Sequence, residues 1–554
     1  MTLDFVSQEP IEFEGFDIPT FEASLNAHGM YETMRFVLRL SPRNHELMDS
    51  IQNGEYAGDE IPPEALRAYS TYLHETVHWW QHVGSTSGLL LSLSYLAQSF
   101  STTKYLRETL QDFGPKKSLF TWTNNTLLSE GPSAQTKLRA ANIAVNNALD
   151  VEYYKAFALN PKKAIQWLVD QIHFEAVGHG YYIAYGQLIG LLQAAVDPDW
   201  TTLPGGEEWD ERYEAAREAQ VEGFYHNSPV RVPPIGLHAI YEGQARFAQL
   251  QFLNGSQGRT LTLDQLDSAG FLQGVYVEAW DWFLKLSGAK RPGKFDDPLV
   301  SLFLLVLDLA INPTQGFPLD IGDFEAFIGD VDVGTRFVRL CRVVEAAPEL
   351  KTLIKKHSRD EYVELGGMLA EAAGYDDPMD ALATIVSWRE SLPGVAKLME
   401  EHRTFEFDLI NQPVRVFFSH FIAFATDKLA RPEFFCWPGM WKTGENASKE
   451  AMEVWLRHLS LFTDRPDKPG VYPRKWPDRD EKAVKAMFDS FYGTMALFDL
   501  TRQWILKDGP FVCNYEWLME NYSQERVEKW ADETFMQVYK VKLSDFELCV
   551  PAGV

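Results

Sequence analysis

The stretch TYLHETVHWWQH (Thr71–His82) decides how this chain is read. It contains His74-Glu75-Thr76-Val77-His78, an H-E-x-x-H pattern. On a helix, residues four apart lie one turn apart on one face, so the two imidazoles can meet at one ion. Glu75 sits beside them without being a ligand, placed to take a proton from water that the ion activates. The helical wheel supports a helix here. Leu66, Tyr69, Tyr72, Leu73, Thr76, Val77, Trp79 and Trp80 form one wide apolar face, and His74, His78 and His82 share the opposite face with Arg67 and Glu75.

The same reading extends outward. Pro62-Pro63-Glu64 suits a helix start and Gly84 its end. Ser87–Phe113 reads as a second helix, and helical candidates follow at Pro132–Leu159, Lys162–Val196 and Leu237–Leu253. Helical patterning resumes after INPTQGFPLDIGD (Ile311–Asp323) and runs to about Val538. Strand signals are few, with Met34–Leu40 a short extended candidate. The fold class expected is therefore mainly α. The expected division is an irregular segment over 1–60, a helical core over 61–315 and a helical C-terminal region over 316–554. TDRPDKPGVYPRKWPDRDEK (Thr463–Lys482) is expected to be a long polar loop.

Composition narrows the partners. Of 554 residues, 45% are hydrophobic and 23% charged, the balance of a globular chain. Acidic residues outnumber basic ones 78 to 51, a net charge of −27 that disfavours nucleic acid and anionic membranes as partners. The N-terminal residues show no export signal, and no apolar run is long enough to span a bilayer. Cys341, Cys436, Cys513 and Cys549 form no C-x-x-C pair, so neither a disulfide framework nor a cysteine-based zinc site is expected. A reducing compartment, the cytoplasm, is the expected location.

A catalytic zinc keeps three protein ligands and one open position, so a third ligand must come from elsewhere in the chain. Glu242, in HAIYEGQARFAQL (His238–Leu250), is the candidate. H-E-x-x-H followed by a helix bearing E-G-x-A, here Glu242-Gly243-Gln244-Ala245, resembles the gluzincin metallopeptidases. The wider segment HETVHWWQHVGSTSGL (His74–Leu89) is similar to uncharacterised bacterial metallopeptidases with an H-E-x-x-H-x-x-Q stretch. The resemblance implies a multi-helical zincin-like core and one Zn2+ held by His74, His78 and Glu242. It also implies Glu75 as general base and a peptide or protein as substrate. The chain departs from the pattern in two ways. A long insertion separates the two ligand helices, and Arg246 stands where some gluzincins carry an acid that supports a ligand histidine. Asp308 is a candidate for that support.

His173, Glu175 and His179, in DQIHFEAVGHGYYIAYG (Asp170–Gly186), form a competing ligand group. His238, Tyr241, Arg246, Tyr181 and Tyr182 are candidate donors to an oxyanion. Glu75-Thr76-Val77-His78 is also an E-x-x-H unit, which a helical di-iron oxidase would use together with a second such unit. A non-catalytic, zinc-binding interaction scaffold is the remaining alternative.

Overall fold

The computed structural model describes residues 29–32, 36–52, 61–205, 208–443, 447–466, 468–476, 479–515 and 523–551. Most of the segment expected to be irregular, 1–28 and 53–60, lies outside the described residues. The chain is mainly helical, with 68% helix against 4% strand, so packing between helices builds the core.

The motif helix α1 (Pro63–Gly84) starts as its sequence dictates. Pro62 is extended at the N-cap, Pro63 occupies the first helical position and Glu64 lies in the first turn. Ser85 then turns the chain into α2 (Thr86–Phe113): its hydroxyl accepts from Gly88 N at 3.0 Å and donates to Gln81 O at 2.6 Å. Gly88 is required here, because a Cβ would stand 1.8 Å from the Gln81 carbonyl oxygen. Helices α3 (Arg139–Leu159) and α4 (Val177–Val196) pack on α2.

From Leu73 to Gly84 every residue of α1 is buried. The face that carries the histidines is therefore not a solvated surface. Helix α5 (Leu237–Ser256) covers it, and helix α6 (Val275–Ser287) packs on the far side of α5. Gly243 makes that approach possible: a Cβ there would lie 3.1 Å from Ala279 Cβ and 3.7 Å from the Phe303 ring on α7 (Pro298–Ala310).

The C-terminal region closes on the other side of α1. Helix α8 (Gln412–Ala430) packs against it, and α9 (Glu481–Leu506) packs against α2, α3 and α8. Trp80 Nε1 donates to His458 O at 2.8 Å, and the Trp80 ring meets Phe424, Phe434, Phe435 and Trp455. One apolar core runs from Phe36 to Phe546, so the segments 61–315 and 316–554 do not have separate cores. The stretch Ile311–Asp323, where the expected boundary falls, is packed into that core. Phe317 is fully buried against Trp388, Phe418 and Phe421, and Ser87 N donates to Ile311 O at 3.2 Å.

The proline-rich stretch at Thr463–Lys482 corrects the sequence reading. Much of it is a hairpin, β3 (Phe462–Arg465) with β4 (Lys468–Pro473). β3 also pairs in parallel with β2 (Val37–Leu40), itself antiparallel to β1 (Gly29–Glu32). His45 Nε2 meets Asp464 Oδ1 at 2.8 Å and clamps the two ends of the chain together. No helix among the described residues is long and apolar enough to cross a membrane, and all four cysteines are free thiols.

Candidate metal centre

His74 and His78 project from α1 toward α5, and their Nε2 atoms lie 3.1 Å apart. Glu242, in the second turn of α5, brings Oε2 to 3.5 Å from each of them. These residues are the one group of three or more potential metal ligands among the described residues. The triangle can be tested against an ion. With ligand bonds of about 2.0–2.1 Å in a tetrahedral site, neighbouring ligand atoms stand about 3.3 Å apart. The observed edges of 3.1, 3.5 and 3.5 Å fit. Glu242 Oε2 is buried without a hydrogen-bond partner among the described residues, as an oxygen reserved for a cation would be.

The electrostatics agree. Burial works to raise the Glu242 carboxyl, but His78 and His74 outweigh it and hold the group well below the usual carboxylate range. Burial works to lower His78, yet the Glu242 carboxylate outweighs that and lifts the imidazole to about 9. Burial pushes His74 down to about 4. The chain thus gathers a carboxylate and two imidazole nitrogens around a point that favours positive charge. Glu75, 5% exposed, is buried beside them, and that burial pushes its carboxyl up to about 8.

A second layer holds the ligands. Gln81 Oε1 lies 2.8 Å from His78 Nδ1. The Gln81 amide nitrogen donates to Tyr241 O and to Gln244 Oε1, each at 2.9 Å. Arg246, one turn beyond Glu242, lays its guanidinium 3.9 Å from the centre of the Tyr276 ring and donates to Gln249. The Tyr276 ring also stands 5.9 Å from His74, and its hydroxyl feels the charges of Glu242, Arg246 and Glu75. Glu242 keeps 22% of its side chain exposed, against 7% and 9% for the histidines, so the group opens to solvent on the Glu242 side.

The structure therefore brings His74, His78, Glu75, Glu242 and Arg246 together and leaves the other candidates elsewhere. His82 lies deeper, its ring against Tyr241, and Tyr241 OH faces Ser85 Oγ at 3.4 Å in the core. Tyr181 donates to Asp332, Tyr182 donates to Asp210, and His238 is exposed. The competing ligand group does not form. Helix α4 begins only at Val177, so Glu175 and His179 do not share a helix face. His179 pairs with Asp150 at 3.1 Å and Glu175 with Arg217 at 3.2 Å. Asp308 does not support a ligand histidine either. It is buried in an ion pair with Lys428 at 2.7 Å and accepts from Tyr362 OH at 2.7 Å.

Three residues at the site escaped the sequence reading. Gln81 was visible one turn after His78, but nothing assigned it a partner. Gln244 and Tyr276 carried no signal, because their roles come from the docking of α5 and α6. The second E-x-x-H unit of a di-iron bundle is not gathered here by the described residues. Compared with known proteins, the chain matches no protein family, no curated protein and no solved structure.

Proposed function

We propose that this protein is a zinc-dependent metallopeptidase of gluzincin type that hydrolyses peptide bonds in a peptide or protein substrate. The observation that carries the reading is the triangle of His74 Nε2, His78 Nε2 and Glu242 Oε2, with Glu75 buried next to it. Two imidazoles and one carboxylate are the donor set of a hydrolytic zinc, with the fourth position left for water or substrate. An ion bound there supplies Lewis acidity toward a carbonyl oxygen and toward water.

The remaining work falls to side chains of the chain. In its ionised form Glu75 takes the proton of the attacking water on its carboxylate and delivers it to the leaving amine. Its burial beside the ligands keeps bulk water from competing for that proton. Arg246 and Tyr276 stand at the open edge and supply donors for charge that develops on the substrate oxygen. The motif helix is fixed on both sides, by α5 and by the C-terminal helices, so these groups are held before substrate arrives.

The test is a pair of assays on one variant. Glu75→Gln is expected to retain zinc and to lose hydrolysis of a quenched fluorescent peptide library. Unchanged cleavage by that variant, with zinc retained, removes Glu75 from the mechanism and the proposal with it.

A further inference from the structure

We propose that Gln81 is the positioning residue of this centre, and that its single amide fixes both the tautomer of His78 and the placement of Glu242. The inference rests on the metal-binding reading above.

A backbone carbonyl only accepts hydrogen bonds, so the end of the Gln81 amide 2.9 Å from Tyr241 O must be the NH2 group. Its second N–H reaches Gln244 Oε1, also at 2.9 Å. Both amide hydrogens are then used, and the oxygen is the end that faces His78 Nδ1 at 2.8 Å. An oxygen there accepts, so Nδ1 carries a hydrogen whatever the state of the other nitrogen. When Nε2 is unprotonated its lone pair points at His74 Nε2 and Glu242 Oε2, where an ion needs it.

The same amide braces the opposite helix. Its two acceptors, Tyr241 and Gln244, flank Glu242 on α5. Gln81 is 2% exposed and Gln244 5%, so breaking the brace would leave polar groups buried and unpaired. His74 has no equivalent support among the described residues: its Nδ1 is buried with no hydrogen-bond partner there. His78 is thus set in advance as a ligand, and His74 is left to adapt.

The experiment has two readouts on purified chain. Selective 15N-histidine NMR of the metal-free protein, recorded above pH 9 where the His78 imidazole is neutral, reports which nitrogen of His78 is protonated. Competition with a chromophoric chelator reports zinc affinity for wild type, Gln81→Met and Gln81→Glu. The inference predicts a proton on Nδ1 of His78 in wild type. It predicts about 10–100-fold weaker zinc binding in Gln81→Met. Gln81→Glu keeps an acceptor oxygen against Nδ1 but gives up both donors to α5, so its affinity falls between those of wild type and Gln81→Met. A neutral His78 carrying its proton on Nε2 in wild type overturns the inference, and so does zinc binding by Gln81→Met as tight as wild type. Wild type that binds no zinc overturns the metal reading instead, and the NMR measurement still decides the tautomer. Should Gln81→Met not fold, the wild-type tautomer and the Gln81→Glu affinity carry the test.

Discussion

Glu242 Oε2 faces His78 Nε2 at 3.5 Å across the interface between two buried helices that are far apart in the chain. The contact exists because α5 covers the polar face of α1, and Gly243 lets α5 pack tightly behind it. A carboxylate and two imidazoles converge on one point that the fold shields from bulk water except on the Glu242 side.

Glu75 is expected to act on the proton and not on the metal. Glu75→Gln preserves shape and burial but cannot accept a proton. The expected outcome is wild-type zinc content with hydrolysis lowered by about 10²–10⁴-fold, measured as kcat/KM on a fluorogenic peptide. A variant that loses zinc in parallel with activity would make Glu75 a structural support for the ligands.

Asp308 is expected to matter for stability alone. Its ion pair with Lys428 has side chains only 5% and 4% exposed. Removing one partner strands a buried charge, so Asp308→Ala is expected to destabilise the fold by about 3–5 kcal/mol, read from denaturant unfolding. Folded Asp308→Ala should bind zinc as wild type does. A lowered zinc affinity in the folded fraction would restore the second-layer role expected from sequence.

Acid is expected to unfold the protein through a histidine cluster behind Trp79. His402 and His420 meet edge to face with ring centres 4.4 Å apart, and His420 faces Trp79 at 6.1 Å. Burial holds His402 well below its ordinary value and His420 at about 4, with His458 and Arg479 adding to the effect. The unfolded chain binds a proton at each near pH 6.5, before the folded chain does. Stability is therefore full above about pH 6.5 and falls as pH drops toward 4, by on the order of 3 kcal/mol for His420 alone. Chemical unfolding of wild type and His420→Phe at pH 7 and pH 4.5 checks this. The variant should lose less stability over that interval; an equal loss would place the acid sensitivity elsewhere.

Much of the architecture was legible because helical periodicity is local. The apolar face of Leu66 to Trp80, Pro63 at the start of α1 and Gly84 at its end suffice to draw the motif helix. The hairpin at Phe462–Pro473 was not legible, since its pairing partner Val37–Leu40 lies near the other end of the chain and its own composition reads as a loop. Lys162–Val196 read as one helix but breaks at 169–176, and that break separates Glu175 from His179. At the site, the i, i+4 spacing of His74 and His78 is a property of one helix and could be read directly. Glu242 was found through a resemblance, and the structure places it against both histidines. Gln244 and Tyr276 act only through tertiary contacts, and Gln81, three residues after His78, meets α5 only once the helices dock.

The most direct test of the central claim is metal content by mass spectrometry on wild type, His78→Ala and Glu242→Ala, purified in parallel. The account predicts about one zinc per chain in wild type and its loss in both variants. Zinc that survives in Glu242→Ala, or wild type that carries no zinc, would contradict it.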